Sequence, residues 1–135
     1  MKTKRRKRRP NATGRNHNNQ FLKIDYDMAH SAAWRSLSGS AMKVWIELRT
    51  RYNGRNNGDL SLSLDEAARL LKMGKATVLR AYQELEEKGF IRMVERGQWY
   101  GRLATTWEVT DKPHKGYPAT NDWSSWREPR KPKKL

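Results

Sequence analysis

Residues 63 to 95, SLDEAARLLKMGKATVLRAYQELEEKGFIRMVE, decide the fold class. Ser63-Leu64-Asp65-Glu66 matches a capping box, in which the serine hydroxyl and the glutamate carboxylate satisfy each other's backbone donors, so a helix is predicted to start there. Leu64, Ala67, Ala68 and Leu71 give that helix one apolar face, and Lys72-Met73-Gly74 breaks it with a short turn. A second helix is predicted from Lys75 to Lys88, with Val78, Ala81, Tyr82 and Leu85 as its inward stripe and Gly89 as its C-terminal stop. Phe90 to Glu95 then alternates as a strand does.

Outward from this stretch, Ala41, Val44, Trp45, Leu48 and Tyr52 recur at helical spacing behind Ser38, and Asn53-Gly54 closes that helix. Residues 30 to 37 fit a shorter helix or a packed arm, and the Asn- and Gly-rich YNGRNNGD leads into a brief extended run, Leu60-Ser61-Leu62. On the other side, residues 96 to 101 (RGQWYG) form a hairpin loop, and Leu103, Thr105, Trp107 and Val109 share one face of a returning strand. The order is helix, short strand, helix, turn, helix, strand, loop, strand. This predicts a mainly α protein with a small β-hairpin, of α+β class, in a winged helix-turn-helix arrangement with the hairpin loop as the wing.

Charge divides the 135-residue chain into three parts. Of the formal +15, residues 1 to 20 carry eight basic and no acidic side chains, and residues 112 to 135 carry seven basic and two acidic. Residues 21 to 111, with 14 basic and 12 acidic side chains, are nearly neutral. We therefore read 1 to 20 as a disordered basic arm, 21 to 111 as the winged domain, and 112 to 135 as a basic tail containing Pro113, Pro118, Pro129 and Pro132 together with Trp123 and Trp126. Two tryptophans three residues apart are costly to leave in water. They imply either a protein partner or a fold-back onto the chain's own core.

A net charge of this size points to a polyanionic partner, and nucleic acid is the default. With no cysteine and three scattered histidines, neither a disulfide framework nor a zinc site is expected, and no cofactor is implied. No uncharged run approaches the roughly 20 residues that cross a bilayer, so we expect no membrane partner and a soluble, cytoplasmic, nucleoid-associated chain. Asp25 and Asp27 are too thin a cluster for metal-assisted phosphoryl transfer, and no phosphate-cradling glycine loop is present. The sequence therefore predicts a binding protein and not an enzyme.

A helix of the predicted size fits the major groove, and its useful residues lie toward its N-terminus on the face away from the core. Lys72, Gly74, Lys75, Ala76, Thr77, Arg80 and Gln83 are the candidates there: small residues for close approach, cations and a hydroxyl for phosphate or base edges. Arg96, Gln98 and Arg102 in the wing, and Arg5, Arg6, Arg8 and Arg9 in the arm, are candidates for the backbone or a neighbouring minor groove. Glu84, Glu86 and Glu87 gather in the second half of the helix, which is expected to point away from the duplex. Expected partners are double-stranded DNA and, to match two half-sites, a homodimer. RNA binding, or an adaptor role through Trp123 and Trp126, is the alternative.

The segment from Leu62 to Gly97, LSLDEAARLLKMGKATVLRAYQELEEKGFIRMVERG, resembles the winged helix-turn-helix modules of bacterial transcription regulators such as the GntR and MarR groups. By that likeness Lys75, Thr77 and Arg80 take the positions that contact DNA. The wider stretch from Trp34 to Trp126, with WRSLSGSAMKVWIELRTRYNGRNNG, ATTWEVT and DWSSWREP, is similar to short helix-turn-helix and replication-protein-like products of alphaproteobacteria and their prophages or plasmids. The resemblance implies a transcription regulator or replication-associated factor that carries no metabolite-sensing domain behind the wing.

Overall fold

A computed structural model describes residues 20 to 98 and 104 to 130. Two single-turn helices, α1 (Tyr26–Ala29) and α2 (Ala32–Arg35), lead into α3 (Gly39–Arg49), α4 (Leu64–Leu71) and α5 (Lys75–Glu87). Strands β1 (Ile91–Glu95) and β2 (Thr106–Val109) pair antiparallel, and a 3₁₀ turn covers Asp122–Ser125. The described residues thus form a mixed α+β structure of helices with a small two-stranded antiparallel sheet.

Serine caps start α3 and α4 where the sequence places them. The Ala41 N–H donates to the Ser38 hydroxyl and the Glu66 N–H to the Ser63 hydroxyl, removing one orphan donor from each first turn. The reciprocal half of the Ser63 box is not made: the Glu66 carboxylate turns instead to Arg51, 3.0 Å away. For Ser38 the missing half comes from another helix, since its N–H donates to the Glu84 carboxylate of α5 at 3.1 Å. Glu84 therefore caps α3 rather than forming part of an acidic outer face. Helix α4 ends on Lys72 in the left-handed region (φ 55°), and the Lys72 and Met73 N–H groups both return to the Ala68 carbonyl. Lys72, Met73 and Gly74 form the expected turn, in which Gly74 lies in ordinary extended backbone and is the N-cap of α5.

Helix α3 packs across α5, and α4 packs on both. Val44, Trp45 and Leu48 meet Val78, Ala81, Tyr82 and Leu85 in a core completed by Ala67, Phe90, Ile91 and Val109. Trp34 stands edge-on to both Trp45 and Phe90, with ring centroids 5.3 and 5.8 Å apart, and Tyr82 stacks on Trp107 at 5.1 Å. Burial pushes the Tyr82 phenol far above its ordinary pKa, so it stays protonated and donates to the Leu62 carbonyl at 2.6 Å. Leu60 exchanges two backbone hydrogen bonds with Trp107, which makes the predicted short strand a single bridge beside the hairpin. The hairpin register pairs Ile91 with Val109 and Met93 with Trp107, and a bulge follows before Glu95 meets Thr106. Within residues 90 to 95 the buried pair is Phe90 and Ile91, adjacent in the chain, and 92 to 95 are all exposed, so the expected alternation does not appear.

The chain does not leave the core at residue 111. Asn57, buried, accepts the Val109 N–H at 2.8 Å and turns its amide N–H groups toward the carbonyls of Val109, Lys112 and Pro113. Arg49, also buried, pairs with Asp111 at 3.3 Å. The Thr110 hydroxyl donates to the Gly89 carbonyl at 2.6 Å, and Asp122 receives the Arg92 guanidinium at 2.8 Å. The 3₁₀ turn then lies on α2, where Trp123 is buried at 8% exposure, and half-buried Trp126 lies under the Lys88 ammonium at 5.1 Å from its ring. Of the two fates open to these tryptophans, packing on the chain's own core is the one observed.

Candidate nucleic-acid interface

The same stripe that buries one side of α5 turns the other side outward. Lys75, Ala76, Arg80 and Gln83 are exposed, as are Lys72 and Gly74 in the preceding turn, while Thr77 is half-buried at the flank. The Arg80 guanidinium lies 3.4 Å from the Thr77 hydroxyl, one turn back, which holds both side chains toward the N-terminal end of the helix. Among the described residues Lys72, Arg80 and Arg96 make no ion pair, so their charge is available to an incoming anion. Arg96 and Gln98 are exposed at the base of the hairpin loop. Arg102, and the arm residues Arg5, Arg6, Arg8 and Arg9, lie outside the described residues.

Lys75 is not unpartnered. Its ammonium contacts the carboxylate of Asp65, in the first turn of α4, with both side chains largely in solvent. Sequence reasoning misses this pair, because nothing in the spacing of residues 65 and 75 reveals how the two helices cross. An exposed pair of this kind contributes about 0 to 1 kcal/mol, so a phosphate can replace the carboxylate at little cost.

Gly74 leaves the start of α5 without a side-chain cap, so the first N–H groups of a 13-residue helix point outward together with the positive end of its dipole. A β-carbon added at Gly74 meets nothing closer than the Thr77 hydroxyl at 4.0 Å, and its φ of −70° suits any residue. We expect Gly74→Ser and Gly74→Asp both to stabilise the fold, by about 0.5 to 1 kcal/mol in thermal melts, through a new cap and a less flexible unfolded chain. Their anion affinities should diverge. The aspartate carboxylate takes the place a phosphate would occupy, so Gly74→Asp is expected to melt higher and bind nucleic acid more weakly, as a duplex titration would show.

Beside this face runs an open cleft of about 810 Å³, between α5 and β1, whose walls include Leu79, Gln83, Met93 and Arg96. Leu79 and Met93 are 46% and 41% exposed. Among the described residues no three His, Asp or Glu side chains are grouped to hold a metal, and no helix is long and apolar enough to cross a membrane. No protein-family model matches the chain, and neither a curated protein nor a solved structure does.

Proposed function

We propose that this protein binds double-stranded DNA with sequence preference, as a winged helix-turn-helix without catalytic activity of its own. In this reading α4 and α5 are the helix pair, the leading half of α5 enters the major groove, and the β1–β2 hairpin is the wing beside it. The observation that carries the proposal is the make-up of one surface: the uncapped start of α5, with small Gly74 and Ala76 and with Lys75, Arg80 and Gln83 all exposed around them. Glu86 and Glu87 lie exposed at the far end of the same helix, which favours insertion by the N-terminal end. Arg96 supplies a cation at the wing, and the arm adds eight more that favour phosphate irrespective of sequence. The resemblance to short prophage and plasmid helix-turn-helix proteins supports a role in transcription control or replication of a mobile element.

The test is selection of duplexes from a random pool by the full chain, followed by titration of the enriched and scrambled sequences at several salt concentrations. We expect an enriched sequence, and a log-log salt slope of about −0.9 for each phosphate neutralised. No enrichment, binding indifferent to salt, or tighter binding of structured RNA in competition overturns the proposal.

A further inference from the structure

We infer that Leu79 reads the C5-methyl group of a pyrimidine in the major groove, which in unmodified DNA means a thymine. The inference rests on the reading of α5 as the inserted helix and names what one of its residues recognises. Leu79 does not belong to the core stripe: Val78, Ala81, Tyr82 and Leu85 are at most 4% exposed, whereas Leu79 is 46% exposed. It stands one turn before Gln83 and next to Arg80, on helix surface that is otherwise polar. Met93 of β1, 41% exposed, lines the same cleft, together with Gln83, Glu86 and Arg96. Isolated exposed leucines are common, but an exposed leucine on the outward half of α5 that shares a cleft with an exposed methionine of β1 offers apolar surface to a partner.

The major groove offers only one such partner. Base edges there present N7, O6 and O4 acceptors, N4 and N6 amino donors, and the C5-methyl group of thymine. A leucine can neither donate nor accept, so against a G·C edge it would strip water from polar atoms and return nothing. Against a methyl group it removes apolar surface from water on both sides. Ala76, three residues before Leu79, has no side chain long enough to hold the helix off the base edges. Gln83, four residues after it, has the amide that pairs bidentately with adenine. Leucine and glutamine one turn apart therefore favour A·T pairs at neighbouring positions.

The experiment uses the full chain and the duplex enriched from a random pool, with thymines replaced one at a time by uracil. This substitution removes the methyl group and leaves every hydrogen-bonding atom. We expect one position per site at which uracil weakens binding about fourfold, the value of one buried methyl-sized group. At that position 5-methylcytosine is expected to exceed cytosine by a similar factor. The contrast should vanish in Leu79→Ala and persist in Leu79→Met, and both variants should melt like the parent chain because the side chain lies outside the core. An enriched duplex whose affinity is indifferent to uracil at every position, or a contrast that survives Leu79→Ala, overturns this inference and leaves DNA binding standing. Failure to enrich any duplex overturns both.

Discussion

Gly89→Ala is expected to lower stability by about 2 to 4 kcal/mol, a fall of roughly 10 to 20 °C in melting temperature for a domain of this size. Two costs add. Gly89 follows α5 with φ at +84°, in the left-handed region that side chains rarely adopt, and a β-carbon there lies 2.7 Å from the backbone carbon of Asp122 and 2.8 Å from the Trp123 nitrogen. Backbone cannot swing aside as a flexible side chain does, so the 3₁₀ turn must lift and Trp123 must leave its site on α2. Gly54 isolates the first cost, because its φ is +98° and a β-carbon there meets nothing within 4 Å. Gly54→Ala should cost about 1 to 2 kcal/mol and Gly89→Ala clearly more. Thermal melts of the two variants, with limited proteolysis after residue 111, check this. Equal destabilisation would show that the closing segment contributes nothing to the fold.

The second large effect concerns binding. Arg80→Ala and Lys75→Ala are each expected to weaken binding to the enriched duplex by about 5- to 150-fold, corresponding to the loss of a base or phosphate contact. Melting temperatures should stay within a few degrees of the parent, since both side chains are exposed. Deletion of residues 2 to 9 should act differently: it flattens the salt slope and weakens enriched and scrambled duplexes alike, while discrimination between them survives. Asp65→Asn, which frees Lys75 and removes a negative charge from the face, should raise affinity a few-fold for both duplexes. Parallel titrations of these variants against both duplexes read all four effects. If removing the arm alone abolishes sequence preference, α5 is not the reading element.

The three long helices and the paired strands are legible in sequence because their signals are local, whereas the single turn α1 is not. A serine three residues ahead of a glutamate, an apolar stripe at 78, 81, 82 and 85, and a glycine after the last turn each act within a few residues of where they stand. What was not legible depends on how elements cross. The Glu84 carboxylate caps Ser38 from 46 residues away, Glu66 leaves its own capping box for Arg51, and Lys75 meets Asp65 only because α4 and α5 place their first turns together. Prolines and excess charge make residues 112 to 135 read as a tail, although Asn57, Arg92 and the burial of Trp123 hold 112 to 126 on the fold. Gly89 was legible as a helix stop, and its second duty, making room for the backbone of Asp122, was not.

That closing segment also bears on how the protein is made. Trp123 reaches its place on α2, beside Gly89, only once the chain up to the 3₁₀ turn has left the ribosome, so α2 must wait with part of its apolar surface uncovered. Completion of this core is therefore a late event in folding, and a chain ending between residues 111 and 123 would hold its three long helices but lack the segment that covers α2.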